Sequence, residues 1–127
     1  MGYTIKDLSE RTNLSPNTLR YYEKEGLLPD IKRTKGGIRH YSQENLEWIG
    51  LITCLKNTGM TIKQIRQFVD LSLQGPETLK ARCELLKTHK QEIERHIEEI
   101  NRYYDKVNCK IDYYTKQYEQ YMEEEGN

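Results

Sequence analysis

The last third of the chain carries a heptad repeat. Positions seven residues apart form one series (Leu79, Leu86, Ile93, Ile100, Val107, Tyr114 and Tyr121), and a second follows each by four (Cys83, Lys90, Ile97, Tyr104, Ile111 and Tyr118). These series correspond to the d and a positions of a coiled coil. A helix over 77–124 would be about 70 Å long at ~1.5 Å per residue. Because no globular body remains for it to pack on, we expect it to pair with another helix.

The repeat divides the chain into two predicted domains, 1–75 and 76–127, with Gly75-Pro76 at the boundary. The first part has 11 Lys/Arg and 8 Asp/Glu, a net charge of +3, and the second has 9 and 12, a net charge of −3. A basic first part joined to an acidic helix is compatible with a DNA-binding domain and a separate interaction element. Ordinary fluctuation in a charged protein could also produce so small a difference. Residues 123–127 are expected to fray.

Composition excludes several classes of protein. Hydrophobic residues make up 35% of the chain, below the ~45–50% that is usual, so a single large core is not expected. No apolar run is long enough to span a membrane, and no signal peptide is visible. The three cysteines are far apart and form no zinc-binding pair. We therefore expect a reduced, cytoplasmic protein with no metal site and no cofactor. The three histidines lack a matching nucleophile or acid, so the sequence does not indicate an enzyme.

Two short helices are predicted near the N-terminus. Thr4 can cap the first, with Asp7 as the reciprocal acid, and residues 13–14 form a turn. Ser15 caps the second helix and Gly26 ends it in the left-handed conformation. The back of this second helix is apolar, and its polar front carries Asn17, Thr18, Arg20, Tyr21 and Lys24. Such a helix-turn-helix fits the major groove of DNA, although a solvated surface helix would show a similar pattern.

The next segment, residues 31–41 (IKRTKGGIRHY), is predicted to be a β-hairpin that turns at Gly36-Gly37. We call this segment the wing. Four cations and no acid lie within it (Lys32, Arg33, Lys35 and Arg39). Because phosphate contacts supply much of the affinity for DNA, a basic wing beside the second helix favours DNA binding.

Two further helices are predicted before the heptad repeat. Ser42 caps the third, which ends at Gly59, and Thr61 caps the fourth. Their apolar positions are candidates for the core, and we expect Trp48 to pack there rather than bind a ligand.

The motif TLRYYEKEGLL, followed by Arg33, Gly37, Arg39 and Tyr41 in R-x-x-x-G-x-R-x-Y spacing, resembles the N-terminal domain of MerR-type transcription regulators. The likeness continues through LEWIGLITCLKNTGMTIKQIRQF and into the long helix. It implies an all-α fold with a small β wing: a winged helix-turn-helix, a second helix pair, and a long C-terminal helix that forms an antiparallel coiled coil.

The resemblance also implies a mechanism. Dimers of this family bind near-palindromic operators in promoters whose spacer is too long. They then distort that DNA so that RNA polymerase can use it. The implied partners are thus promoter DNA, a second copy of the chain and, indirectly, RNA polymerase.

The residues expected to contact DNA lie on the first two helices and the wing (Tyr3, Asn17, Thr18, Arg20, Tyr21, Tyr22, Lys24, Arg33, Lys35, Arg39 and Tyr41). Among them Thr18, Arg20 and Tyr21 should face the groove, and Lys35, Arg39 and Tyr41 should hold phosphates. The residues expected to form the dimer follow the heptads (Leu79, Leu86, Ile93, Ile97, Ile100, Tyr104, Val107 and Ile111).

The segment CLKNTGM is similar to the aldehyde- and electrophile-responsive NmlR/AdhR-like members of the family, which implies that Cys54 is a sensor thiol in a stress response. A small cysteine buried in the core is the alternative. Metal sensing is not expected, since the paired C-terminal cysteines of metal-sensing relatives are missing. Two other functions stay open: a protein-interaction module built on the coiled coil, and a repressor that acts without an inducer.

Overall fold

The computed structural model describes residues 2–28, 31–33 and 35–126 of the 127-residue chain, without the side chain of Lys32. The elements in chain order are α1 (Ile5–Thr12), α2 (Pro16–Lys24), β1 (Lys32–Arg33), β2 (Arg39–His40), α3 (Gln43–Asn57), α4 (Ile62–Gln74), a 3₁₀ turn (Pro76–Thr78) and α5 (Leu79–Gly126). The predicted all-α fold with a small β wing is confirmed.

The first four helices begin where the sequence predicts. Each follows a Ser or Thr whose side chain accepts a hydrogen bond from a backbone N–H three residues on (Thr4, Ser15, Ser42 and Thr61). In three of these helices, the side chain of that third residue accepts a hydrogen bond from the backbone N–H of the capping residue (Asp7, Asn45 and Gln64). The backbone N–H of Thr4, followed by its hydroxyl, holds the pKa of Asp7 below its ordinary value. These caps satisfy amides that a helix start leaves unpaired.

The turns also follow the sequence. Asn13, between α1 and α2, has a φ of 61°, and Gly26, which ends α2, has a φ of 75°. Both angles are left-handed, a conformation that Gly and Asn adopt at low cost. The wing is an antiparallel hairpin in which Arg33 lies opposite Arg39. Tyr3 joins it through two backbone hydrogen bonds to Tyr41, of 2.7 and 2.9 Å.

The described chain divides into two compact units, Met1–His89 and Lys90–Asn127. We call the first unit the head. Its core combines residues from α1, α2, the wing, α3, α4 and the segments that follow α2 and α3 (Leu8, Leu19, Tyr22, Leu27, Leu28, Tyr41, Ile49, Ile52, Leu55, Met60, Ile65, Phe68 and Val69). Trp48 packs against it, as predicted: its indole N–H donates to the Leu27 carbonyl at 2.8 Å, and its ring stacks on Phe68 at 5.9 Å.

Residues just after Gly75 belong to the head. The Thr78 hydroxyl donates to the Leu71 carbonyl at 2.6 Å, and Arg82 donates to the Gly75 carbonyl at 3.0 Å. Leu85 and Leu86 then pack against the core. The first turns of α5 therefore pack against the end of α4 and the core of the head. The heptad pattern did not indicate this contact.

The second unit is the remainder of α5. None of its described residues is buried, and ion pairs one turn apart lie on its surface, such as Arg95 to Glu92 at 3.0 Å. The helix continues to Gly126, whereas fraying was expected from residue 123. Asn127 lies outside the described residues, and no helix within them is both long and apolar enough to cross a bilayer.

Candidate nucleic-acid interface

The front of α2 is exposed and its back is buried. Leu19 is completely buried, which fixes α2 against the core. Asn17, Arg20, Tyr21 and Lys24 are exposed on the other side, as predicted, and Thr18 is half-buried. A short helix fixed from behind in this way can present its front to the edges of base pairs.

Hydrogen bonds within α2 orient two of these side chains. Arg20 Nη1 donates to Asn17 Oδ1 at 3.2 Å. The hydroxyls of Thr18 and Ser15 are 2.9 Å apart and share a hydrogen bond. Asn17 therefore holds Arg20 along the helix without neutralising its charge, so the guanidinium remains a cation that can bind an anionic ligand.

Tyr21 is 42% exposed and lies beside a cation that sequence reasoning missed. The Lys56 ammonium, from α3, is 5.7 Å from the Tyr21 ring centre and 5.3 Å from that of Tyr22. These are cation–π distances. Lys56 therefore extends the basic surface of α2. No local pattern could reveal it, because Lys56 is 35 positions from Tyr21 and 34 from Tyr22 along the chain.

The wing arginines are ion-paired rather than free. Glu23, on α2, accepts a hydrogen bond from Arg33 Nη2 at 3.0 Å through Oε1, and one from Arg39 Nε through Oε2. The wing itself contains four cations and no acid, but Glu23 of α2 lies outside the wing sequence and supplies the acid that pairs with two of them. Lys35 is exposed, and the side chain of Lys32 lies outside the described residues.

Two predicted DNA contacts need correction. Tyr22 is only 1% exposed and Tyr41 is completely buried, so both rings belong to the core and neither offers a face to DNA. Burial raises the pKa of Tyr41, the charge of Glu23 adds to that rise, and Arg39, Arg20 and Arg33 oppose it. The motif spacing did not reveal this, because a tyrosine can be a core or a surface residue.

Tyr3, another predicted contact, is half-buried where the N-terminus meets the wing. Its hydroxyl donates to Gln43 Oε1 at 2.8 Å, and Arg11 lies 4.8 Å from its ring centre. Arg11 and Tyr3 thus add one more cation and one more aromatic ring at the start of the head.

Cys54 is exposed near the end of α3, which contradicts the alternative of a cysteine buried in the core. Its carbonyl accepts hydrogen bonds from the Thr58 amide at 3.1 Å and the Thr58 hydroxyl at 2.7 Å. The same hydroxyl is 2.7 Å from His89 Nε2, on α5. Cys54 therefore lies in the last turn of α3, whose cap residue Thr58 contacts His89 of α5.

The predicted dimer residues differ in exposure. Leu86 is partly buried against the core of the head, and Ile93 is half-buried. The other six are about half exposed or more (Leu79, Ile97, Ile100, Tyr104, Val107 and Ile111). In the second unit these side chains, with Tyr114 and Tyr118, leave an apolar stripe uncovered along α5. Within the described part of the chain, no group of three or more His, Cys, Asp or Glu residues could hold a metal.

Comparison with known proteins supports this picture. Residues 3–71 match the family model described as MerR HTH family regulatory protein, and residues 46–107 match the one described as MerR, DNA binding. An uncharacterised HTH-type transcriptional regulator from Haemophilus influenzae is 40% identical over 87 residues, 68% of this chain and 64% of that protein. The regulator AdhR from Bacillus subtilis is 38% identical over 82 residues, 65% of this chain and 59% of its own length. The chain thus spans less than two thirds of these relatives.

Solved structures cover more of the chain. HiNmlR, described as a MerR family regulator lacking the sensor domain and bound to promoter DNA, is 37% identical. Its TM-score is 0.87, over 91% of this chain and 92% of that one. A MerR family regulator from Bacillus thuringiensis is 36% identical with a TM-score of 0.82, over 87% and 97%.

Proposed function

The chain belongs to the MerR family of DNA-binding transcriptional regulators, and from this premise we propose that it binds a near-palindromic promoter operator as a homodimer. By this proposal, α2 enters the major groove and the wing lies on the phosphate backbone. Distortion of the spacer DNA then makes the promoter usable by RNA polymerase. The observation that carries the proposal is the exposed polar front of α2 beside a wing that is ion-paired to the same helix.

The charges near α2 divide into two groups. Arg20 carries a planar group able to form two hydrogen bonds with a guanine edge, so we assign it to base recognition. Lys24, Lys35 and Lys56 are exposed cations, so we assign them to phosphates. Because each neutralised phosphate releases counterions, their number should set the salt dependence of binding.

The dimer is proposed from the apolar stripe of α5. Helices with a and d residues uncovered in water gain free energy by pairing. An antiparallel pair would place two heads at opposite ends and fix the distance between two operator half-sites, which must be about one helical turn or a multiple of it. In this division of labour, the head reads DNA and the apolar stripe of α5 dimerises, so the predicted boundary at residue 75 moves to residue 89.

The proposal is tested by titrating the protein against a labelled inverted-repeat promoter fragment at about 50 to 200 mM salt. We expect affinity to fall steeply as salt rises. Lys35→Ala should lower the slope of log affinity against log salt by up to ~0.9 per head, or ~1.8 per dimer, on all DNA. Arg20→Ala should cost about 1–3 kcal/mol on the operator and less on unrelated DNA.

The salt dependence of the wild-type protein decides between the two functions. A wild type that shows no salt-dependent binding to the fragment would contradict the regulator function. It would favour the protein-interaction module, whose long helix pairs with another protein and whose head has lost DNA binding.

We also propose that Cys54 senses aldehydes or other electrophiles. The support is its exposure in the last turn of α3, near the contact between Thr58 and His89, together with the resemblance of the segment CLKNTGM to the NmlR/AdhR-like regulators. Addition of the thiol to formaldehyde would form a bond between sulfur and carbon, and the thiol proton would pass to the aldehyde oxygen. A modified side chain at this turn would disturb the contact between Thr58 and His89, which packs α5 onto α3.

Cys109→Ser is a matched control for the sensor, because Cys109 is an exposed cysteine on α5. Cys54→Ser should abolish the change in promoter activity caused by formaldehyde and leave DNA affinity unchanged, whereas Cys109→Ser should respond like the wild type. A full response in Cys54→Ser would contradict the sensor, and a wild type that represses with no response to electrophiles would favour a repressor without an inducer.

A further inference from the structure

Glu23 is placed differently from an ordinary surface acid on a helix. Its side chain is only 19% exposed, and each of its two carboxylate oxygens binds a different strand of the wing. Oε1 accepts from Arg33 of β1, and Oε2 accepts from Arg39 of β2. One residue of α2 therefore holds both strands.

The same network reaches the tip of the wing. Arg33 Nη1 donates to the carbonyl of Gly37 at 3.1 Å, while Nη2 of the same guanidinium binds Glu23. Gly37 has a φ of 80°, which a residue with a side chain rarely adopts. The conformation of the turn is thus tied, through one guanidinium, to a carboxylate on α2.

A carboxylate at this position lowers the affinity for DNA, because it is negatively charged. It reduces the charge of the group formed with Arg33 and Arg39 from +2 to +1, beside a surface proposed to face phosphates. Sequence-independent attraction to DNA grows with the number of free cations. Since Glu23 weakens that attraction, its contribution must lie in geometry. A largely buried carboxylate that binds one arginine through each oxygen leaves those arginines few alternative conformations.

We propose that Glu23 is a positioning residue that sets the specificity of DNA binding, an inference that rests on the proposed function. It fixes the wing arginines relative to α2, so that the wing meets the backbone only when α2 is seated in the groove. It also limits attraction to phosphates on any other sequence. Glu23 does this without itself contacting DNA.

Two substitutions separate the effect of the Glu23 charge from the effect of its side-chain length. Glu23→Gln keeps the shape and removes the charge. It should strengthen binding to unrelated DNA, with a slope against log salt steeper by up to ~1.8 per dimer, and reduce the ratio of operator to unrelated affinity about tenfold. Glu23→Asp keeps the charge but is too short to bind both arginines at once. It should leave the slope unchanged and reduce the same ratio by a comparable factor.

Glu25→Gln is the matched control. Glu25 follows α2 and is also ion-paired to an arginine, Arg66 of α4, at 2.6 Å, but it forms no ion pair with the described residues of the wing. Its substitution should change neither affinity by more than about twofold. Thermal unfolding of all three variants identifies any that fail to fold, and Glu23→Asp, the smallest change, then decides the test.

The outcomes distinguish this inference from the proposed function. If the wild type binds the operator with the expected salt dependence but both Glu23 variants keep the wild-type ratio of affinities, the inference is overturned. An equal loss on operator and unrelated DNA would also overturn it, because Glu23 would then only support the fold. A wild type with no salt-dependent binding overturns the proposed function itself.

Discussion

The proposed dimer makes a quantitative prediction for Ile97, at an a position of the heptad repeat. Ile97 is 53% exposed in the isolated chain. Complete burial of an Ile side chain stabilises a protein by about 1.5–3 kcal/mol, so roughly half of that, about 1 kcal/mol, is still available when the helices pair. A symmetric dimer contains two copies, and Ile97→Ala should therefore cost about 2 kcal/mol per dimer. Since 1.4 kcal/mol is a factor of ten, the dissociation constant should rise about 30-fold.

Sedimentation velocity over a range of protein concentrations measures this change. Leu73→Ala is the matched control: Leu73 is an aliphatic residue, 59% exposed on α4, outside the heptad repeat, and its truncation should leave the dissociation constant unchanged. Alanine is a better helix former than isoleucine, so lost helix cannot explain a weaker dimer. A wild type that stays monomeric, or an Ile97→Ala dimer as tight as the wild type, would refute the reasoning.

Four further predictions concern the head, and urea unfolding at a fixed protein concentration measures each. Leu19→Ala should lower the free energy of unfolding by about 2–5 kcal/mol, because Leu19 is completely buried behind the front of α2. Ser15→Ala should cost about 1 kcal/mol by removing the cap of α2. Trp48→Phe removes the N–H donor and should cost about 1–3 kcal/mol through the unpaired Leu27 carbonyl. The depressed pKa of Asp7 should make the folded state more stable above the pKa that Asp7 has when unfolded. This advantage over Asp7→Asn should disappear as the pH falls through the lower folded pKa.

Local signals made much of the fold predictable. The capping residues, the glycine that ends α2 and the turn of the wing each depend on residues within four positions of one another, so the sequence contains the whole interaction. The heptad repeat predicted one long helix for a similar reason, because its period is visible without knowledge of a partner.

The contacts that define the candidate site were harder to predict, because they join distant parts of the chain. Glu23 lies 10 residues from Arg33 and 16 from Arg39, and no spacing rule connects them. The position of Lys56 beside Tyr21 depends on how α3 packs against α2. Tyr22 and Tyr41 were expected at the DNA surface because their motif was read along the sequence, whereas burial is decided by the assembled core.

The placement of its aromatic residues gives this protein two separate optical reporters. Trp48 is the only tryptophan among the 127 residues, and it stacks in the head, whereas six of the ten tyrosines lie on α5 beyond residue 100. Excitation of tryptophan alone therefore monitors the environment between α3 and α4, while tyrosine absorbance and emission are weighted toward the long helix. Dissociation of the proposed dimer and unfolding of the head can thus be followed in one unlabelled sample, each by its own wavelength.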